Sequence, residues 1–238
     1  MKKIFLILFA ISLVGCSEDN TEDLSFVTYY PDFTLIGDET IFVQKGATFT
    51  DPGVIVTEQG EEIEYTVSVR GQYRGGNSVD TNVDDVYVVT YSAVNQDGFP
   101  GTITRRVIVA EVGDLTTSIA GVYRATVLRN GAGGAQYTDM EFVLIYEEED
   151  GTYTLIDGIG LYYSTGRAYG NTYLAPANIT ADNIATDSFT IPDFTIGTFG
   201  GVVQMLSFTA NENDNSIDFT SSWDSGYIFE VHLDQVQF

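Results

Sequence analysis

The 238-residue chain has one cysteine, one histidine, one tryptophan and five prolines. A lone cysteine forms no internal disulfide, so the fold must hold by packing. With one histidine and one cysteine, a zinc site of the usual nitrogen and sulfur ligands is excluded. His232 also lacks the Gly-x-Ser-x-Gly elbow that would accompany a hydrolase nucleophile. Basic residues are scarce as well, 10 against 34 acidic ones. Lys2 and Lys3 precede Cys16 and every acid follows it, so from Cys16 onward 34 acidic residues face 8 basic ones, a net charge of −26. Such a surface repels phosphate backbones and anionic head groups, which argues against nucleic acid and peripheral lipid as partners. No long segment has helical spacing.

What is present begins with Lys2 and Lys3 before an apolar run, Ile4 to Val14, that ends in Leu13-Val14-Gly15-Cys16. A basic start, a short apolar core and a small-residue cleavage region make a secretory signal over residues 1–15. The core is shorter than the roughly 20 apolar residues a membrane span needs. Its end resembles a bacterial lipobox, which implies acylation of Cys16 and attachment to the membrane by lipid alone. More than one acyl chain is needed for a firm anchor. Residues 16–30 form an acidic tether, opening Ser17-Glu18-Asp19-Asn20-Thr21-Glu22-Asp23. That run resembles the acidic signal that directs Bacteroides-type lipoproteins to the outer face of the outer membrane, which implies cell-surface exposure.

The chain's 15 Tyr, 15 Phe and 24 Gly, with period-two alternation past the tether, predict an all-β fold. In residues 31–112, Thr40–Val43, Val54–Val56, Tyr65–Val69, Tyr87–Val94 and Ile103–Val109 read as strands separated by turn clusters such as Asp51-Pro52-Gly53. This density of short strands fits a β-sandwich. Residues 113–238 predict a second antiparallel β-sandwich or barrel-like domain. Its strands are Val122–Leu128, Glu141–Tyr146, Thr152–Ile156, Ser188–Ile191, Val203–Thr209, Ile217–Ser221 and Tyr227–Leu233. Glu148 to Gly151 and Asn211 to Asn215 read as hairpin turns. In the last strand Phe229, Val231 and Leu233 should face inward, and Glu230, His232 and Asp234 outward.

Two segments carry a further resemblance. Ile36 to Val54, with its strand, Lys45-Gly46 turn and Asp51-Pro52-Gly53, resembles the opening of bacterial Ig-like modules of surface lipoproteins. Gly160-Leu161-Tyr162-Tyr163-Ser164-Thr165-Gly166-Arg167-Ala168-Tyr169-Gly170 and Trp223-Asp224-Ser225-Gly226-Tyr227 resemble the C-terminal domain of a Bacteroides lipoprotein family that pairs it with such a module. The resemblance implies a setting in polysaccharide-utilisation loci, beside outer-membrane importers, and supplies no mechanism.

The chemistry concentrates in Asp157 to Tyr173. Tyr162, Tyr163, Tyr169 and Tyr173 surround Arg167, and Trp223 and Tyr227 can join them across the sheet. Sugar rings stack on aromatic faces while Arg167, Asp157 and Asn171 bond hydroxyls, so one reading is a platform for a polysaccharide or oligosaccharide. The other is that these rings are core and Arg167 caps carbonyls. Gly158, Gly160, Gly166 and Gly170 predict an irregular loop, where binding residues commonly sit. Asn211 to Asn215 and Asp80 to Asp85 offer oxygen ligands for calcium, but neither has EF-hand spacing. No other cofactor and no catalytic residue is expected. Non-catalytic glycan binding leads. An adhesive or structural protein that contacts an importer subunit is the alternative, and a glycosidase with two opposed carboxylates is the third.

Overall fold

The computed structural model describes residues 27–238. The leader, Cys16 and most of the tether lie outside the described residues. No helix among the described residues is long and apolar enough to cross a membrane.

Seven strands build the first domain: β1 Asp32–Leu35, β2 Thr40–Gln44, β3 Val54–Glu58, β4 Glu61–Glu62, β5 Tyr65–Gly71, β6 Asp85–Val94 and β7 Pro100–Ala110. They form one sheet in the order β1-β3-β4 and a second in the order β2-β7-β6-β5. Within the second sheet β2 runs parallel to β7, and the other pairs are antiparallel. Alternation along β6 puts Tyr87, Val89, Tyr91 and Ala93 inside, against Val54, Val56, Val107 and Val109. A fully buried Arg105 threads this core. It donates to Asp51 Oδ1 at 2.5 Å, to the Tyr91 hydroxyl at 2.9 Å and to the carbonyls of Ile36 and Asp38. The Asp51-Pro52-Gly53 turn is thereby tied to the last strand.

The second domain is one antiparallel sheet of nine strands. They are β8 Gly121–Arg129, β9 Met140–Glu147, β10 Tyr153–Leu155, β11 Ala177–Asn183, β12 Ser188–Thr190, β13 Phe194–Ile196, β14 Gly200–Asn211, β15 Ser216–Trp223 and β16 Tyr227–Gln235. Their order is β12-β11-β10-β9-β8-β16-β15-β14-β13, so consecutive elements β12 and β13 stand at opposite edges. Only residues 191–193 join them, which forces the sheet to curl until its edges approach. Phe189 on β12 meets Phe208 on β14 at 4.8 Å across the seam, and the Ala210 amide donates to Asp187 at 2.8 Å. The barrel-like form follows from that connection. The hairpin readings hold: Gly151 takes φ +82° and Asn215 φ +50°, both at turns between paired strands. Phe229, Val231 and Leu233 are buried, Glu230 and Asp234 are exposed, and His232 is half-buried.

A curled sheet needs a filling, and residues 157–164 supply it, every one of them buried. This plug is a run of turns between β10 and β11 with no strand of its own. Gly158 lies under the Phe194 ring and Gly160 between Val127 and Val231. Gly160 adopts φ +64°, and a Cβ there would lie 2.6 Å from Val231 Cγ1 and 2.7 Å from Val127 Cγ2. Gly160→Ala should therefore lower stability by about 2–4 kcal/mol, from a left-handed alanine plus overpacking. Urea unfolding checks this, and an unchanged midpoint would mean the plug yields freely.

The domains share an apolar seam. Val86, Ile108 and Ala110 of the sandwich belong to the core of the second domain, and Phe42 packs on Phe142 and Phe238 at 5.5 and 5.1 Å. Arg106 pairs with Glu141 at 2.9 Å, and Arg74 lies 4.5 Å over the Tyr146 ring. The loop that presents Tyr73 and Arg74 is pinned by buried Asp85, whose carboxylate accepts the backbone N–H groups of Gln72, Tyr73, Arg74 and Val86.

Candidate functional site

The plug emerges at one end of the curled sheet, and there the aromatic residues meet. Tyr162 and Tyr163 are buried, Arg167 and Tyr169 are exposed, and Tyr173 is half-buried. Trp223, on β15, is buried opposite its cross-strand partner Tyr227, which is half-buried. The seven residues divide into a supporting layer (Tyr162, Tyr163, Trp223) and an accessible rim (Arg167, Tyr169, Tyr173, Tyr227). Asp157 lies at the base of the plug, fully buried, accepting from the Ile159 amide and the Ser164 hydroxyl, so it is not presented to a ligand. The segment is irregular, as its glycines suggest, but its first eight residues are buried, and there Gly158 and Gly160 serve close packing.

Phe199, which sequence reasoning did not single out, completes the rim. It is 44% exposed, beside Tyr169 at 49%. Its ring lies 4.8 Å from Tyr173, 5.0 Å from Tyr163 and 5.8 Å from Trp223. Tyr169 stacks parallel on Tyr163 at 6.1 Å and contacts Tyr173 at 5.2 Å. Phe199 is held there because the turn before β14 is stitched to the end of the plug segment. The Thr198 amide donates to the Thr172 carbonyl and the Gly197 amide to that of Leu174. The available signal was an aromatic residue directly before Gly200-Gly201, both at positive φ. The Gly201 backbone packs against the edge of the Trp223 indole, where a Cβ would lie 2.3 Å from Nε1, and the buried Nε1–H has no acceptor among the described residues.

Arg129 was also missed. Its guanidinium carbon stands 4.5 Å over Tyr227 and 4.9 Å over Tyr162, and Nη1 donates to the Tyr163 hydroxyl at 3.3 Å. Arg167 lies 5.8 Å from both Tyr137 and Tyr162, which stack on each other at 4.3 Å. Burial raises the Tyr162 phenol, but the Tyr137 hydroxyl and the Arg167 and Arg129 cations outweigh it and hold the phenol below its ordinary value. For Tyr163 burial prevails and the phenol is raised despite Arg129.

A cavity of about 820 Å³ adjoins the same segment, between Asn171 and Thr172 on one side and Arg70, Gln72, Val88 and Thr90 of the sandwich on the other. The sites proposed for calcium are committed elsewhere: Asp84 pairs with Lys45 at 2.5 Å, Asp85 pins its loop, and Asn211 donates to Asp218. Among the described residues no three His, Cys, Asp or Glu side chains are grouped to hold a metal ion. His232 contacts Asp218 through Nδ1 at 2.7 Å and Asp234 through Nε2 at 3.2 Å. Both ring nitrogens are thus engaged by carboxylates, and neither is left to activate a nucleophile.

Comparison with known proteins follows this division. Residues 33–109 match the model of a bacterial surface protein Ig-like domain. Residues 112–235, just over half of the chain, match that of a C-terminal domain of the BT2262-like type. The chain belongs to the BT2262-like family. The crystal structure of the lipoprotein BT2262 from Bacteroides thetaiotaomicron superimposes with a TM-score of 0.64 at 24% identity, covering 87% of this chain and all of that one. At that identity the likeness shows the fold: an Ig-like sandwich followed by a curled antiparallel sheet. No curated protein matches the chain. In this BT2262-like protein the motif Gly160 to Gly170 starts inside the curled sheet, buried through Ser164, and ends at the rim with Arg167 and Tyr169.

Proposed function

We propose that the protein is a non-catalytic, glycan-binding lipoprotein of the bacterial cell surface, acylated at Cys16 and held in the outer membrane. The observation that carries this reading is the accessible aromatic rim of Tyr169, Phe199, Tyr173 and Tyr227. Buried Tyr163 and Trp223 fix the rim from beneath, so little side-chain entropy is lost when a sugar face stacks on it. Polar groups stand at its margin: Arg167 and Asn171, both exposed. A few placed polar groups around an apolar surface is the general build of a small-molecule site. The leader, the acidic tether and the match to a bacterial surface Ig-like domain support a surface location, with the sandwich as spacer. Binding there would concentrate a polysaccharide for an importer.

Calorimetric titration against a panel of polysaccharides tests the reading. At least one glycan should bind, and Tyr169→Ala should weaken it about tenfold or more, as expected for a central aromatic contact. Because Tyr169 is half exposed, the variant should keep its unfolding midpoint. Absence of binding across the panel, or wild-type affinity in Tyr169→Ala, would overturn it.

A further inference from the structure

From Cys16 onward, acidic residues outnumber basic ones 34 to 8. In such a chain a cation without a carboxylate partner is not explained by a shortage of acids. Five of the eight have one within 4 Å: Lys45, Arg74, Arg105, Arg106 and Arg124. Among the described residues Arg70, Arg129 and Arg167 have none, and two of these three stand at the aromatic rim.

Their environment explains how they are held. Arg129 is fixed by the Tyr162 and Tyr227 rings and spends one donor on the Tyr163 hydroxyl. A guanidinium carries five donors, so most of the Arg129 fork has no protein acceptor among the described residues. Arg167 is exposed beside the Tyr137–Tyr162 stack, so both cations share the one Tyr162 ring. The acid of the rim, Asp224, sits on the Gly201 side of Trp223 and accepts the Val202 amide at 2.9 Å. The Tyr137 hydroxyl and the two positive charges together hold the Tyr162 phenol below its ordinary value.

We propose that the ligand of the rim is an anionic glycan, with Arg129 and Arg167 receiving its carboxylate or sulfate groups. The inference rests on the glycan reading above and specifies its substrate class. A planar fork matched to a two-oxygen anion gives short, directional, charge-assisted bonds, and aromatic stacking pre-orients it. The protein's large negative charge acts at longer range and is screened beyond about 8 Å at physiological ionic strength, so contact-distance arginines decide the preference.

Matched polymer pairs test this with the purified chain: a uronate polysaccharide against its carboxyl-reduced form, and a sulfated polysaccharide against its desulfated form. At least one anionic member should bind tenfold or more tightly than its neutral counterpart, and the responding pair identifies the group. Arg167→Gln and Arg129→Gln should each remove most of that preference. Arg167 is exposed, so its variant reports binding without a folding defect; thermal unfolding verifies that for both. Equal affinity for charged and neutral members, with Tyr169→Ala still weakening binding about tenfold or more, would overturn the anionic preference and leave the glycan site standing. A preference that survives both arginine substitutions would overturn their role. No binding by any member would overturn the glycan reading, and this inference with it.

Discussion

Arg105→Leu should unfold the Ig-like domain at a markedly lower urea concentration, with a loss of about 3 kcal/mol or more. The side chain is fully buried and holds five partners: Asp51, the Tyr91 hydroxyl and the carbonyls of Ile36, Asp38 and Gly53. Removing one member of a buried charged pair costs about 3–5 kcal/mol, because the other partners lose their compensation. Asp51 is only partly buried and keeps the Tyr91 hydroxyl and Gly53 amide, which places the loss toward the lower end. Burial raises the Asp51 carboxyl, but the Tyr91, Gly53 and Arg105 hydrogen bonds together hold it below the ordinary value. Its stabilising contribution is therefore present above the unfolded pKa of 3.8 and disappears as pH falls through the lower folded value. Arg105→Lys should not rescue the domain, since one ammonium cannot span a carboxylate, a phenol and three carbonyls. Unfolding midpoints equal to wild type would show that the turn holds without its arginine.

The second large effect concerns pH. Asp157 is wholly buried in the plug, and burial lifts its carboxyl from 3.8 to about 7 despite hydrogen bonds from the Ile159 amide and the Ser164 hydroxyl. A raised folded value means the neutral acid is favoured in the native state. Its contribution is complete below pH 3.8 and is lost as pH rises through about 7. The full loss is on the order of 4 kcal/mol. Asp157→Asn keeps an acceptor for Ile159 and a polar partner for Ser164 but cannot ionise. Relative to wild type, this variant should gain several kcal/mol between pH 4.5 and 8, measured by urea unfolding at a series of pH values. The net charge destabilises both proteins at high pH, so the difference between them isolates Asp157. Parallel profiles would show that this carboxyl does not titrate in that range. His232 is not the source of such a difference: burial lowers it, Asp218 and Asp234 raise it further, and both variants retain it.

What the sequence reveals depends on whether a local period governs the residue. In β16 it does: Phe229, Val231 and Leu233 alternate with Glu230, His232 and Asp234, and the sheet buries the first set. Asp51-Pro52-Gly53 and the hairpin at Gly151 are equally local. β1, β4, β11 and β13 escape because the sequence pattern is weak: β4 is Glu61-Glu62, β11 reads Ala-Asn-Ile-Thr-Ala-Asp-Asn, and β13 is three residues after Pro192-Asp193. The plug escapes for a different reason. Alternation predicts half burial only for a strand, and residues 157–164 are turns enclosed on all sides by a sheet that curls through distant pairings. Tyr169 and Tyr173 reach the surface because the chain has left the barrel by then. Phe199 from the turn before β14 and Arg129 from the end of β8 join them, a juxtaposition no spacing along the chain encodes.

The central claim is that ligand binds over this rim, and the chain carries its own reporter. Trp223 is the only tryptophan, buried beneath the rim with Phe199 at 5.8 Å and Tyr227 at 5.9 Å. Titrating a polysaccharide that binds by calorimetry should shift the Trp223 emission along the same saturation curve, and Tyr169→Ala should weaken both by the same factor, about tenfold or more. Calorimetric binding with unchanged Trp223 emission and full affinity in Tyr169→Ala would place the ligand elsewhere and contradict the account.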